Sequence, residues 1–188
     1  MFAASERTYE PPTLVLFTGS TTSACGGATS AIGPHYCPPD QTIYIDLDFF
    51  AVLQRDFGAS GGDFAEAYVI AHEVGHHVQN LLGISDEVNR LSREDPDRRN
   101  TLSVSLELQA DCFAGTWAHS IFQRGDVLEP GDIQEGLDAA EAVGDDRIQE
   151  KSQGRIDPES WTHGSSDQRV SWFTTGYETG DPEACDSF

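Results

Sequence analysis

The stretch "HEVGHH", residues 72–77, holds three of the six histidines of the chain, and the fold follows from which of them do chemistry. On an α-helix, residues four apart lie on one face, one turn above the other. His72 and His76 therefore project the same way, with ring nitrogens placed to share one metal ion. Glu73 stands about 100° further round, so its carboxylate flanks such an ion instead of binding it. HExxH needs that arrangement: two ligands, and an adjacent base for a metal-activated water. His77 is also about 100° from His76 and is expected to pack or hydrogen-bond at the helix edge.

Two histidines are too few, because a catalytic zinc takes three protein ligands and keeps one position open. The metzincin pattern would place Gly and His at positions 79 and 82; this chain has Gln79 and Leu82. The other source is a glutamate on a second helix. In "ELQADC", residues 107–112, Glu107 and Asp111 are again four apart. Glu107 is expected to ligate the metal, while Asp111 reaches the far nitrogen of a ligand histidine and fixes its ring. Leu106, Leu108, Ala110, Phe113 and Ala114 make this helix mostly apolar, where a charge needs a partner. His35 and His119 have no partner at a recognisable spacing and read as structural. His163, in the loop "WTHGSSDQR", has two readings. It is either a donor to a developing oxyanion or a residue bonded to backbone at the start of the last helix.

The rest of the chain bounds the answer. Its 188 residues suit one domain, 1–188, and are enough to bury a core; residues 1–17 are expected to be a flexible N-terminal segment. The net charge is −21, with only 11 Lys and Arg. That argues against nucleic acid as a partner. No apolar run approaches the roughly 18 residues of a membrane span. Cys25 and Cys37 bracket a Gly- and Pro-rich loop that a disulfide would hold, and an even count of 4 cysteines favours an oxidising compartment.

Residues 1–40 are rich in turn chemistry, with "LVLF" as their only strand-like piece. "TIYIDLDFF" alternates with period two and reads as one strand. The stretch "GGDFAEAYVIAHEVGHHVQNLLG", residues 61–83, holds the strongest helix, with Asp63 and Glu66 as a capping box and Gly83 at its C-terminal stop. A short helix from about Ser85, a long one across Glu107, another over 132–143 and a last one near 165–178 complete an α-rich domain with a small sheet.

Together "GPHYCPPDQTIYIDLDFF", "AYVIAHEVGHHVQN", "LELQADCFAGTWAH", "GDDRIQ", "THGSSDQR" and "CDSF" make the chain resemble the bacterial family called putative neutral zinc metallopeptidase. The resemblance implies an α+β, mostly helical zincin-like fold of the gluzincin kind, with an active-site helix, a glutamate-bearing helix and a small sheet with an edge strand. It implies one zinc ion held by His72, His76 and Glu107, with Glu73 as general base, Asp111 in support and His163 as a site residue. It also implies an extracytoplasmic domain, membrane-anchored in a full-length protein through an N-terminal segment this chain lacks. We expect disulfides Cys25–Cys37 and Cys112–Cys185. The expected function is hydrolysis of a peptide or protein substrate, with the strand at residues 42–46 aligning it by β-augmentation. The alternatives are a non-catalytic zinc-containing binding or scaffolding domain of the cell envelope, a zinc hydrolase of non-peptide amides, and a purely structural envelope protein.

Overall fold

The computed structural model describes residues 8–29, 32–125 and 127–188. Its strands are β1 (Thr13–Phe17), β2 (Ser20–Ser23), β3 (Gly26–Thr29), β4 (His35–Cys37) and β5 (Thr42–Asp46). Its helices are α1 (Leu47–Phe57), α2 (Asp63–Leu82), α3 (Ile84–Glu94), α4 (Arg99–Phe122), α5 (Asp132–Ala142), α6 (Asp145–Gln153) and α7 (Ser166–Thr179). The class is α+β and mostly helical, as the sequence implies.

The sheet corrects three expectations. Of the segment expected to be flexible, residues 1–7 lie outside the described residues, while Thr13–Phe17, where "LVLF" reads as strand-like, is β1, parallel to β5 in register from Thr13 opposite Thr42 to Phe17 opposite Asp46. β4 pairs antiparallel on the other side, so the order is β1-β5-β4 and β5 is central. Every residue of β5 is buried, and no edge is left on it for an added peptide strand. The period-two reading also ran too far. Asp46 closes the strand, and its Oδ1 accepts from the Asp48 N–H at 3.1 Å, capping α1. "LDFF" is thus the first turn of a helix. β2 and β3 form a separate antiparallel hairpin, built from the Ser, Thr and Gly of a stretch that composition reads as loop.

Two helix ends behave differently. Gly83 ends α2 in the left-handed conformation, φ 81°, as its position suggests. The capping box does not form: the N-cap is Gly62, no side chain caps the end, and Asp63 lies inside the helix. Glu135 of α5 supplies the missing acceptor, with its Oε2 taking the Phe64 N–H at 3.3 Å. A residue 71 positions away does what the local sequence does not.

The core forms where α2, α4, α5 and α7 meet, around Phe64, Tyr68, Val69, Ala114, Ala118, Ala139, Ala140 and Phe173, with Ile43 and Ile45 of β5 against it. Small residues set how closely the helices approach. A Cβ at Gly75 of α2 would stand 3.0 Å from the Ala110 backbone of α4. At Gly115 it would overlap the Phe173 carbonyl, and at Gly176 the Cys112 carbonyl, so α4 and α7 touch backbone to backbone. Both disulfides are formed, Cys25–Cys37 and Cys112–Cys185; the second joins a short C-terminal turn, Pro182–Cys185, to α4. Among the described residues no helix is long and apolar enough to cross a membrane.

The structural histidines have clear tasks. His35 stacks on Tyr44, and His119 Nδ1 donates to the Tyr177 carbonyl at 2.7 Å. His77 is fully buried; its Nε2 donates to the Glu10 carbonyl at 2.6 Å, which leaves Nδ1 to accept from the Tyr36 hydroxyl at 3.0 Å. It sews the approach to β1 onto α2. Gly176→Ala should cost at least about 1–3 kcal/mol, the usual range for overpacking, because backbone stands where its methyl must go. Urea unfolding measures it, and wild-type stability would show that the α4–α7 contact yields freely.

Candidate metal centre

The close α2–α4 crossing at Gly75 and Ala110 brings the two i, i+4 pairs face to face. The Nε2 atoms of His72 and His76 lie 3.1 Å apart. Glu107 closes the triangle, with Oε2 at 3.2 Å from His72 Nε2 and Oε1 at 3.4 Å from His76 Nε2. A tetrahedral zinc with ligand atoms at about 2.0–2.2 Å would set those atoms roughly 3.3–3.6 Å apart. The three donors converge at nearly that spacing, and their chemistry, two imidazoles and a carboxylate, suits the ion. Glu73 is buried beside them, 6% exposed, with no hydrogen-bond partner among the described residues. A second acidic group, Asp63, Asp132 and Glu135, also clusters, but two of its three carboxylates serve as backbone acceptors, Asp132 for Glu129 N–H and Glu135 for Phe64 N–H, and Asp63 is exposed.

Behind His72 stands Asp111, fully buried. Its Oδ1 accepts from His72 Nδ1 at 2.8 Å, from the Tyr68 hydroxyl at 2.6 Å and from Arg169 Nη2 at 3.0 Å. Its Oδ2 accepts from Arg169 Nε at 2.8 Å, so the guanidinium grips it bidentately. Burial alone would raise the Asp111 pKa, but Arg169 and then His72 outweigh it and bring it down to about 2. Burial alone would lower His72, but the charge and hydrogen bond of Asp111 lift it to about 10. Glu107 is likewise pushed up by burial and held well below the usual carboxylate range by His76 and His72.

Behind His76 the partner is neutral. Its Nδ1 donates to Gln79 Oε1 at 2.9 Å, and Gln79 is itself fully buried.

His163 is not one of the three converging donors. Asp145, at the start of α6, holds it: Oδ2 accepts the backbone N–H of Thr162, His163 and Gly164, and Oδ1 lies 3.1 Å from His163 Nδ1. The Asp145 hydrogen bond raises the His163 pKa against the effect of burial, and the charge of Glu107 adds to the rise. Nε2 is therefore the ring atom left for other contacts. Sequence reading passed over Arg169, Asp145, Tyr68 and Gln79. Tyr68 and Gln79 had a signal, since they lie four before His72 and three after His76 on the same helix face. Asp145 and Arg169 fall within the quoted stretches "GDDRIQ" and "THGSSDQR", but no local spacing points to their roles, because their partners are far along the chain.

Asp111→Asn leaves Arg169 buried with no full counter-charge and should cost roughly 3–5 kcal/mol. The sign of the acid response follows from the depressed pKa. The stability is present above the unfolded value of 3.8 and is lost as pH falls towards about 2. Urea midpoints at neutral pH and across that acid window measure both. A variant that keeps both the stability and the acid sensitivity of wild type would contradict the account.

The family described as "Putative neutral zinc metallopeptidase" matches residues 1–188. "Uncharacterized protein YpfJ" of Escherichia coli (strain K12) is 54% identical over 188 residues, covering 100% of this chain and 65% of that protein. "Uncharacterized protein Rv2575" of Mycobacterium tuberculosis (strain H37Rv) is 52% identical over 191 residues, covering 96% of this chain and 63% of that protein. The chain thus spans just under two thirds of the length of the relatives it matches. No solved structure matches it. With a match along its whole length, and with donors that suit the ion in the family's description, this chain belongs to the family of putative neutral zinc metallopeptidases.

Proposed function

We propose that the chain is a zinc-dependent peptidase domain that hydrolyses peptide bonds with Glu73 as general base, in the manner of gluzincins. The observation that carries the reading is the convergence of His72, His76 and Glu107 at 3.1–3.4 Å, with a carboxylate next in sequence that is neither a fourth ligand nor tied to another group. His72, His76 and Glu107 would hold the ion. When bound, zinc supplies a Lewis acid that makes water nucleophilic near neutral pH and polarises a carbonyl. Glu73 takes the proton of the attacking water and returns it to the leaving amine. Asp111 keeps the His72 ring turned so that Nε2 faces the site. His163 donates from Nδ1 to Asp145, whose hydrogen bond favours the protonated ring; in that form Nε2–H also donates, to the substrate oxygen as charge builds there.

With β5 internal, the peptide needs another seat. Asn100 and Val104 lie about two turns and one turn before Glu107 on the same side of α4, and Thr101 stands beside them. With Trp161 and Gln168 they line a groove of about 550 Å³ beside the loop that ends in His163, and we assign the extended substrate to it. A scaffolding domain that keeps zinc for stability has no use for a buried, untethered Glu73. The two disulfides favour an oxidising, extracytoplasmic setting, and a membrane anchor in a longer protein is part of the proposal. A peptide or protein is the proposed partner, and the acidic surface disfavours nucleic acid.

Zinc-loaded protein incubated with a diverse peptide pool should cut it, and a chelator should stop the cutting. Glu73→Gln should keep one zinc per chain and lose roughly 10²–10⁴-fold in turnover, the usual worth of a general base; equal cutting by this variant would remove Glu73 from its role. His163→Ala should lose about 10²–10³-fold in kcat, with zinc content and melting temperature nearly unchanged. Lower stability with normal kcat would return His163 to a purely structural part.

A further inference from the structure

The side of His76 turned away from the triad continues into the protein as a line of amides. Gln79 accepts from His76 Nδ1 through Oε1, and its Nε2 donates to the Leu106 carbonyl at 2.7 Å and to Gln109 Oε1 at 3.1 Å. Gln109 Nε2 then donates to the Cys185 carbonyl at 3.0 Å. Gln79 and Cys185 are fully buried and Gln109 is 5% exposed, so water does not substitute for any of these bonds.

The line has a direction. A backbone carbonyl only accepts. The carbonyls of Leu106 and Cys185 therefore decide which end of each amide faces which way, because turning either amide over would set oxygen against oxygen. With both oriented, Gln79 must present Oε1 to His76. Nδ1 of His76 must then carry a hydrogen, and in the neutral ring the lone pair is left on Nε2, the atom that faces His72 and Glu107. His72 has its tautomer set by a charge, Asp111; His76 has it set by a relay of neutral groups that ends at the C-terminal turn.

We infer that Gln79 and Gln109 are positioning residues for the metal site. The Cys112–Cys185 disulfide belongs to the same device, because it fixes the carbonyl that ends the relay. This inference rests on the reading of His72, His76 and Glu107 as zinc ligands. It makes zinc affinity depend on a covalent bond that touches none of the three. If the disulfide is opened by a dithiol, which is oxidised to its own disulfide as Cys112 and Cys185 become thiols, Cys185 keeps only non-covalent ties to α4, such as the Ser187 hydroxyl on the Ser105 carbonyl at 2.8 Å. Gln109 then loses its fixed acceptor, and Gln79 its fixed orientation.

The test measures zinc affinity of the whole chain by competition with a chromophoric chelator, with far-UV circular dichroism and a urea midpoint for each metal-free protein. Gln79→Met keeps the volume and removes the acceptor; it should bind zinc about ten- to a hundredfold more weakly, the range for loss of a group bonded to a ligand. Gln109→Met, and separately Cys112→Ala with Cys185→Ala, should each weaken binding less, by about three- to tenfold, since neither touches His76. Combined, they should weaken it no further than the larger single effect, because both cut one line. Folded Gln79→Met with wild-type affinity overturns the relay, and so do losses that simply add in the combined variant. If Gln79→Met does not fold, the Gln109 and disulfide cycle decides alone. A wild-type chain that binds no zinc fails at the earlier step, and overturns the metal-site reading together with this one.

Discussion

Asp111 is the residue on which the other parts of the site depend. A carboxylate fully removed from water is costly unless its charge is matched and its lone pairs are filled. Here one oxygen takes three hydrogens and the other takes one, from Tyr68, His72 and Arg169. Those donors come from α2 and α7, and the acceptor from α4. A small sideways slip of any of the three helices would break at least one charge-assisted bond at the centre of the molecule. The apolar core supplies most of the driving force for folding, since burial scales with area. It tolerates small shifts that the carboxylate does not, so Asp111 selects one packing among several of similar burial.

The same demand explains the small residues at the crossings. Bonds of 2.6–3.0 Å from three side chains to one carboxylate need the helices that carry them held close together. Gly75 against Ala110, and Gly115 and Gly176 against the facing carbonyls, permit that approach. Polar order and close packing are thus one constraint, met at two levels: glycines let the helices in, and the Asp111 cluster fixes their rotation.

What was legible in the sequence was local. The pairs His72/His76 and Glu107/Asp111 sit at helical spacing, and a helix turns such spacing into a shared face whatever the surroundings. Cys25 and Cys37 were legible because they bracket a loop with little else to hold it. What escaped was set by distant partners. Arg169 meets Asp111 across 58 residues, and Glu135 caps α2 across 71. Period-two alternation ran on past Asp46 because "LDFF" continues it, and only the cap shows that the chain has begun to turn. α6, "DDRIQEKSQ", has little apolar periodicity and is fixed by Asp145 gathering the loop after it. β5 read as a strand free to pair with a substrate because alternation cannot say how many neighbours a strand will have.

The Asp111–Arg169 grip asks nothing of a metal ion. The helices that carry His72, His76 and Glu107 are held by a salt bridge, close backbone contacts and a disulfide that all form in the protein by itself. Small zinc modules are built differently, because there the ion is itself the main cross-link. An ion at His72, His76 and Glu107, as proposed, would then enter between helices that protein groups already hold to one another.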